Sequence, residues 1–227
     1  MKPGTDHGFI SRDSRRVPEG FRHDFVMPGR QHPPMPSSSF SLPDRRTGAV
    51  RASCRLTSPD DARQAGRFPS ERHFDFAGIG LLRERLVEVD ALWLDASMRP
   101  ERAFAELGER LARYLIVEGH DFVFTTARVG MADGGHTAAS LHAQAVSRAH
   151  SPDDLRVVPR HALAVERLTI TLEAPAAPHL QGWIQLGAWV CGEPAWSRDP
   201  HAVEIPLLLP LTRLRARPAR RFLAIAA

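Results

Sequence analysis

The chain has 227 residues, of which 43% are hydrophobic and 25% charged; these values suit one ordinary globular domain and exclude a wholly disordered protein. The chain has 30 basic and 26 acidic side chains. Lys2 is the only lysine and the other basic residues are arginines, so the lysine-dependent phosphate loop of nucleotide hydrolases is excluded. Two cysteines, Cys54 and Cys191, are too few for a disulfide framework and favour a reducing compartment. Neither a secretory signal nor an uninterrupted apolar span is evident, so a cytoplasmic protein is predicted.

The first 46 residues differ in composition from the rest of the chain. They contain seven prolines and a run of three serines, and they carry eight basic against five acidic side chains. Such a segment buries too little apolar surface to offset its loss of conformational entropy. We therefore predict a disordered tail over residues 1–46 and a folded domain over residues 47–227, whose part up to residue 212 is net acidic.

Hydrophobic periodicity predicts alternating strands and helices after this tail. The central helix is the clearest element, because Pro100 suits its first turn and Gly119 suits the position after its end. Thr137 is the expected N-cap of a later helix. The strands are predicted over residues 49–56, 86–94, 121–129 and 205–211, and the helices over 100–118, 137–149 and 178–188. This order predicts an α/β domain with a single sheet.

Two carboxylates stand on the strand predicted over residues 86–94. Strict alternation would place Val87, Val89 and Ala91 on one face, with Glu88 and Asp90 on the other. One interpretation is an exposed face whose carboxylates form ion pairs with a nearby arginine, either Arg55 or Arg85. The other is a general base in a solvent-facing cleft, where partial burial raises the pKa of a carboxyl group.

The histidines and the tryptophan-rich segment do not by themselves indicate a specific site. The eleven histidines lack metal-ligand spacing, and His136 and His142 fall on opposite sides of a predicted helix, so no metal site is expected. Residues 182–196 are rich in tryptophan and glycine. They fit either a packed corner of the fold or an apolar groove for a long chain.

The segment GWIQLGAWVCGEPAWSRDPHAVEIPLLLPL, residues 182–211, resembles the C-terminal signature of the ornithine N-acyltransferases of ornithine-lipid synthesis. That family belongs to the GNAT superfamily of acyltransferases. Weaker likenesses at residues 50–56, 73–77, 86–89, 112–115 and 151–157 keep the family's order. The resemblance implies a GNAT-like mixed sheet flanked by helices, incomplete on its N-terminal side because residues before Thr47 show no likeness.

The resemblance also implies a reaction and its residues. A 3-hydroxy fatty acyl group would pass from the phosphopantetheine thioester of acyl carrier protein, a co-substrate, to the amine of ornithine, with no bound cofactor. Glu88 falls on the family's strand glutamate and is the implied base. Arg99 falls on the family's arginine before the helix; with Arg102, Trp183 and Trp189 it is expected to bind the acyl donor.

The basic C-terminal segment suits an acidic partner, either the carrier protein or anionic lipid at the inner face of the cytoplasmic membrane. Its arginines are Arg213, Arg215, Arg217, Arg220 and Arg221. Nucleic acid is not an expected partner, because no basic patch is interleaved with aromatic residues. The sequence departs from the family pattern at Ala91, Ser197 and Pro200-His201. An active N-acyltransferase and a catalytically degenerate domain that binds carrier protein or membrane therefore both stay open.

Overall fold

The structure is a computed structural model that describes residues 38–43, 48–95, 98–171, 174–197 and 199–215. A mixed seven-stranded sheet flanked by helices forms its centre, which confirms the predicted α/β class. The strands are β1 (Ser38–Pro43), β2 (Val50–Thr57), β3 (Phe74–Asp75), β4 (Leu86–Leu94), β5 (Phe122–Gly130), β6 (Val158–Pro159), β7 (Trp189–Val190), β8 (Ala195–Trp196) and β9 (Ala202–Pro210). The α-helices are α1 (Pro59–Gln64), α2 (Pro100–Glu118), α3 (His136–Ala149) and α4 (Pro178–Leu186). Short 3-10 helices lie at Pro69–Arg72, Ala77–Arg85, Asp153–Leu155, Val165–Arg167 and Leu211–Arg213.

The strand order of the main sheet is β1-β2-β4-β5-β9-β7, and β8 also pairs with β9. Strands β4 and β5 are parallel, whereas the other neighbours in this sheet are antiparallel. A parallel pair needs a long crossover, and α2 supplies it between β4 and β5. Strands β3 and β6 form a separate two-stranded sheet.

The structure corrects the predicted N-terminal boundary. Ser38–Pro43, inside the predicted disordered tail, forms strand β1 and pairs with β2 along its length. The prediction is wrong for these six residues because β2 supplies backbone partners that the local composition does not reveal. The rest of the predicted tail, residues 1–37 and 44–46, lies outside the described residues, as do residue 47 and residues 216–227.

Local signals set both ends of α2 as predicted, whereas the start of α3 differs from the prediction. Helix α2 begins at Pro100, and Gly119 follows its end in the left-handed region with a φ of 73°. At the start of α3, the predicted cap Thr137 is wrong. The carboxylate of Asp133 accepts hydrogen bonds from the backbone N–H groups of Gly135 and Thr137, and so caps the helix from outside.

The two faces of the sheet carry separate hydrophobic clusters. The helix face is defined by Val87, Val89, Val123 and Ala127, and it packs against α2, α3 and α4. The opposite face, which we call the Glu88 face, carries Leu86, Phe124 and Leu208 under a cover of loops and short helices. Cys54 and Cys191 are free thiols buried in different clusters. Among the described residues, no helix is both long and apolar enough to span a bilayer.

Candidate functional site

The parallel strands β4 and β5 pair over four residues each and then separate. Their register runs from Leu86 opposite Phe122 to Val89 opposite Thr125. At the last pair, the Thr125 hydroxyl donates to the Val89 carbonyl over 2.8 Å. Beyond this point β4 follows β2 to its end, and β5 follows β9. The result is a wedge at the carboxyl ends of two parallel strands, the position where open α/β sheets bind ligands.

A bulge in β4 stands just past the point where the strands separate. Ala91 has a φ of 49°, a left-handed conformation that is uncommon for a residue with a side chain. The register with β2 shifts between Ser53 and Arg55, so β4 carries an extra residue there. Leu92 consequently packs on the helix face, and the predicted strict alternation is wrong after Asp90. Bulges of this kind recur beside active sites, where they redirect side chains.

Glu88 is buried on the sheet and does not face a solvent-filled cleft. Its side chain is 1% exposed. Ser70 donates its backbone N–H over 3.0 Å and its hydroxyl over 2.6 Å to the same carboxylate oxygen of Glu88. Burial raises the pKa of Glu88 from 4.5 to about 8, although both hydrogen bonds from Ser70 oppose this rise. The raised pKa was predicted, but the predicted solvent-facing position is wrong.

Asp90 forms an ion pair with Arg55, as one of the two interpretations of this strand predicted. The Arg55 guanidinium contacts both carboxylate oxygens of Asp90 at 2.7 Å. The two residues are opposite each other in the β2–β4 register, which holds the pair in place. Arg85, the other candidate partner, pairs instead with Asp121 at 2.8 Å. Asp90 therefore marks one charged edge of the wedge.

A second charged group lies across the wedge on β5 and β9. Glu204 of β9 is directly opposite Arg128 of β5 in the register. The Thr126 hydroxyl donates to the Glu204 carboxylate over 2.8 Å, and Arg128 pairs with the carboxylate of Asp199. Burial raises the pKa of Glu204, while the Thr126 hydrogen bond, the charge of Arg128 and the Ser197 hydroxyl lower it.

A cleft of about 720 Å³ opens at the end of β5, beside the first turns of α3 and α4. Val129, Leu141 and Leu180 give it an apolar floor. Its rim is polar, with Arg128, Asp133, Thr137, His179, Asp199 and His201. Its volume and mixed lining are typical of sites for small molecules or extended chains.

The predicted donor-binding arginines lie at the start of α2, outside the lining of this cleft. Arg99 is exposed and immediately precedes the helix. Arg102 is exposed and pairs with Glu106 one turn later at 3.0 Å. On the second turn, the ring of Phe104 contacts His179 edge to face at 6.2 Å between centroids, and His179 lines the cleft. The helix start and the cleft thus share one end of the molecule.

The two predicted tryptophans have structural contacts. Trp183 is 1% exposed and packs edge to face on Phe104 at 5.7 Å, so its predicted place in the wall of a groove is wrong. Trp189 is half-buried, and the Arg213 guanidinium stands 4.6 Å over its ring. Trp183 thus has the contacts of a packed corner of the fold. Trp189 retains an exposed part, and its contact with an acyl donor stays a prediction.

Of the C-terminal arginines, Arg213 and Arg215 are described. Arg213 also donates its Nε–H to the Gly187 carbonyl at the end of α4 over 3.1 Å, so this side chain fastens the chain to the domain. Arg215 is exposed, while its backbone N–H donates to the Leu186 carbonyl. Arg217, Arg220 and Arg221 lie outside the described residues.

Four polar residues of the site were not predicted from the sequence: Ser70, Thr126, Arg128 and Glu204. For Thr126 and Arg128, a signal was present, since polar residues alternate with apolar ones in the predicted strand over residues 121–129. Ser70 belongs to a short 3-10 helix, and no periodic pattern marks its approach to Glu88. Among the described residues, no cluster of three or more metal-ligating side chains occurs.

The chain matches no protein-family model and no curated protein. Among solved structures it is similar to FeeM, an N-acyl amino acid synthase from uncultured soil microbes, with a TM-score of 0.40 and 14% sequence identity. That likeness covers 79% of this chain and 75% of the other. No family membership follows from a likeness of this degree.

Proposed function

We propose that the protein is an N-acyltransferase that joins the acyl group of a thioester to an amine. The separation of β4 from β5 after Val89 and Thr125 carries this proposal. It leaves one edge of β4 without β5 beside it, and a cleft with an apolar floor opens at the end of β5. An extended chain with amide groups, such as the phosphopantetheine arm of an acyl donor, can pair with such an edge as an added strand.

The donor site would combine this edge with the start of α2. Backbone N–H groups at the bulge around Ala91 are candidates for holding the oxyanion that develops on the thioester carbonyl. Arg99 and the first turn of α2 are suited to the phosphate of the arm, since a helix N-terminus attracts anions. The acyl chain would lie on the apolar floor of the cleft. No bound cofactor is needed for this chemistry.

The identities of donor and acceptor follow from the sequence resemblance. We propose a 3-hydroxyacyl group carried by acyl carrier protein as donor and ornithine as acceptor, in the cytoplasm or peripherally at the inner face of its membrane. Exposed Arg215, with the arginines that follow it, would meet the acidic carrier or anionic lipid.

The enclosure of Glu88 favours a second candidate function. A base must be ionised and must reach the amine, yet Glu88 is 1% exposed and its pKa of about 8 keeps it largely protonated at neutral pH. If no other carboxylate serves, the domain would bind acyl carrier protein or a membrane surface without turnover. This alternative predicts binding without reaction.

Thiol release distinguishes the two functions. Purified protein is mixed with a 3-hydroxyacyl thioester of acyl carrier protein and ornithine, and free thiol is followed with a chromogenic disulfide. The proposal predicts thiol release that depends on ornithine and yields an amide detectable by mass spectrometry. Carrier binding by calorimetry without any release of thiol would instead support the degenerate domain.

A further inference from the structure

Glu204 is a second carboxylate on the same face of the sheet as Glu88. Phe124, Thr126 and Arg128 alternate along β5, and Phe124 is opposite Glu88 in the parallel register. Glu204 is opposite Arg128 on the other side of β5, and it accepts the hydroxyl of Thr126. The Glu88 face therefore presents Glu88 on β4 and Glu204 on β9, on either side of β5.

The two carboxylates differ in their access to the cleft. Glu88 lies beneath Ser70 and is 1% exposed, whereas Glu204 is half-buried. Ala202, two residues earlier on the same face of β9, lines the cleft, as do Arg128, which is opposite Glu204, and Asp199, the ion-pair partner of Arg128. Glu204 therefore adjoins the lining of the cleft through Arg128 and Ala202.

The groups around Glu204 suit an ionised carboxylate that exchanges a proton. Three neighbours stabilise its charge: the Thr126 hydroxyl, the Arg128 guanidinium and the Ser197 hydroxyl. Burial acts in the opposite direction and makes the carboxylate more basic than an exposed one. A carboxylate that is both held in place and more basic than usual is an effective proton acceptor near neutral pH.

Resting on the N-acyltransferase function proposed above, we propose that Glu204 accepts the proton of the acceptor amine, with Thr126 as its positioning residue. The amine nitrogen attacks the thioester carbonyl carbon, and the new carbon–nitrogen bond leaves a positively charged nitrogen. Glu204 takes one proton from that nitrogen as the carbon–sulfur bond breaks. The thiolate leaves with the bonding electron pair and receives the proton from Glu204, which yields amide, thiol and the original carboxylate.

The test compares Glu204→Gln with wild type, with Glu88→Gln and with Glu193→Gln, a control at an exposed carboxylate between β7 and β8. Glutamine keeps an oxygen for the Thr126 hydrogen bond but cannot take the proton. Thiol release with acyl carrier protein thioester and ornithine is measured from pH 6 to pH 9. We expect kcat to fall about 100-fold or more in Glu204→Gln, with an unchanged KM for the thioester, and about threefold or less in the control Glu193→Gln. A larger fall in Glu88→Gln than in Glu204→Gln would assign the base to Glu88 and overturn the proposal.

A second variant, Thr126→Val, tests the proposal even if Glu204→Gln does not fold. Thr126→Val leaves the carboxyl group but removes a hydrogen bond that stabilises its ionised form, so the acidic limb of the kcat profile should move to higher pH. If the acidic limb does not move in Thr126→Val, or if the kcat of Glu204→Gln is within about threefold of wild type, Glu204 is not the proton acceptor. Either result leaves the proposed N-acyltransferase function standing. Wild-type protein that releases no thiol overturns the proposed function itself, so the two failures are distinguishable.

Discussion

Ser70 holds the carboxylate of Glu88 with both its backbone N–H and its hydroxyl, at 3.0 and 2.6 Å. The short helix that carries Ser70 is braced in turn, because the carboxylate of Glu71 accepts two hydrogen bonds from Arg83 and one from the Phe68 backbone. The ring of Phe68 is fully buried under this turn. The enclosure of Glu88 is therefore a built feature of the fold.

Glu88 should make the stability of the protein fall as pH rises. Its pKa is about 8 in the folded protein against 4.5 ordinarily, so the folded state holds more protons between these values. The free energy of unfolding should then decrease by up to about 1.4 kcal/mol per pH unit across this window. Urea unfolding of wild type and Glu88→Gln from pH 5 to pH 9 measures the effect as the difference between the two curves.

That difference is the informative quantity because other groups titrate in the same range. Burial lowers the pKa of His142, which gives stability the opposite dependence on pH in its own window. Glu204, whose pKa is raised, is unchanged in both proteins. Curves that stay parallel from pH 5 to pH 9 would contradict the raised pKa of Glu88.

Replacing Ser70 by alanine should destabilise the protein, most strongly above pH 8. The variant leaves a buried carboxyl group without its shortest hydrogen bond, and such a loss costs about 1–3 kcal/mol. The cost grows when the group is ionised, because a charge needs the donor more. Urea unfolding at pH 6 and pH 9 gives both values. Ser147→Ala is the matched control, since its exposed hydroxyl bonds a carbonyl of its own helix, and an equal loss in both variants would refute the role of Ser70.

Gly182 allows α4 to lie close against α2. A Cβ atom at this position would stand 2.2 Å from the ring of Phe104, which is itself buried against Trp183. Alanine is ordinarily about 1 kcal/mol better than glycine inside a helix, so the sign of the change depends on this clash. We expect Gly182→Ala to destabilise the protein by about 1–3 kcal/mol, as overpacked cores do.

Gly80→Ala is the control for that experiment, since no atom lies within 4 Å of its Cβ position. Thermal unfolding of both variants, and of Gly182→Ala combined with Phe104→Leu, measures the clash directly. The smaller side chain should restore part of the lost stability. If Gly182→Ala is as stable as Gly80→Ala, the two helices are not in close contact at this point.

Much of this fold was predictable from local pattern. Strand β4 has the predicted bounds, and α2 begins at Pro100 and stops before Gly119, because these signals lie within the element itself. Strand β1 was not predictable, since its backbone partners belong to β2. The bulge at Ala91 likewise depends on the register with β2, which no local alternation reveals.

The site was predictable only in part, because it too depends on contacts between segments that are distant in the chain. The strand pattern marked Glu88 as unusual, but its burial depends on Ser70, which lies 18 positions earlier in a turn without periodicity. Glu204 is polar within an otherwise apolar stretch, and its importance appears only when the register brings it opposite Arg128. The type of each residue is known from the sequence. Its exposure to solvent and its charged neighbours depend on contacts between segments that are distant in the chain.

Arg213 and Arg215 should separate stability from partner binding. Arg213 packs on Trp189 and bonds the Gly187 carbonyl, so Arg213→Ala should lose about 1–2 kcal/mol of stability. The side chain of Arg215 is exposed, and Arg215→Ala should stay within about 0.5 kcal/mol of wild type. For the acidic acyl carrier protein, however, Arg215→Ala should weaken binding about fivefold at low salt, from roughly 1 kcal/mol per charge. Calorimetric titration with carrier protein at low and high salt checks this, because screening should remove the difference. An affinity that Arg215→Ala leaves unchanged at low salt would place the carrier's contact elsewhere on the protein.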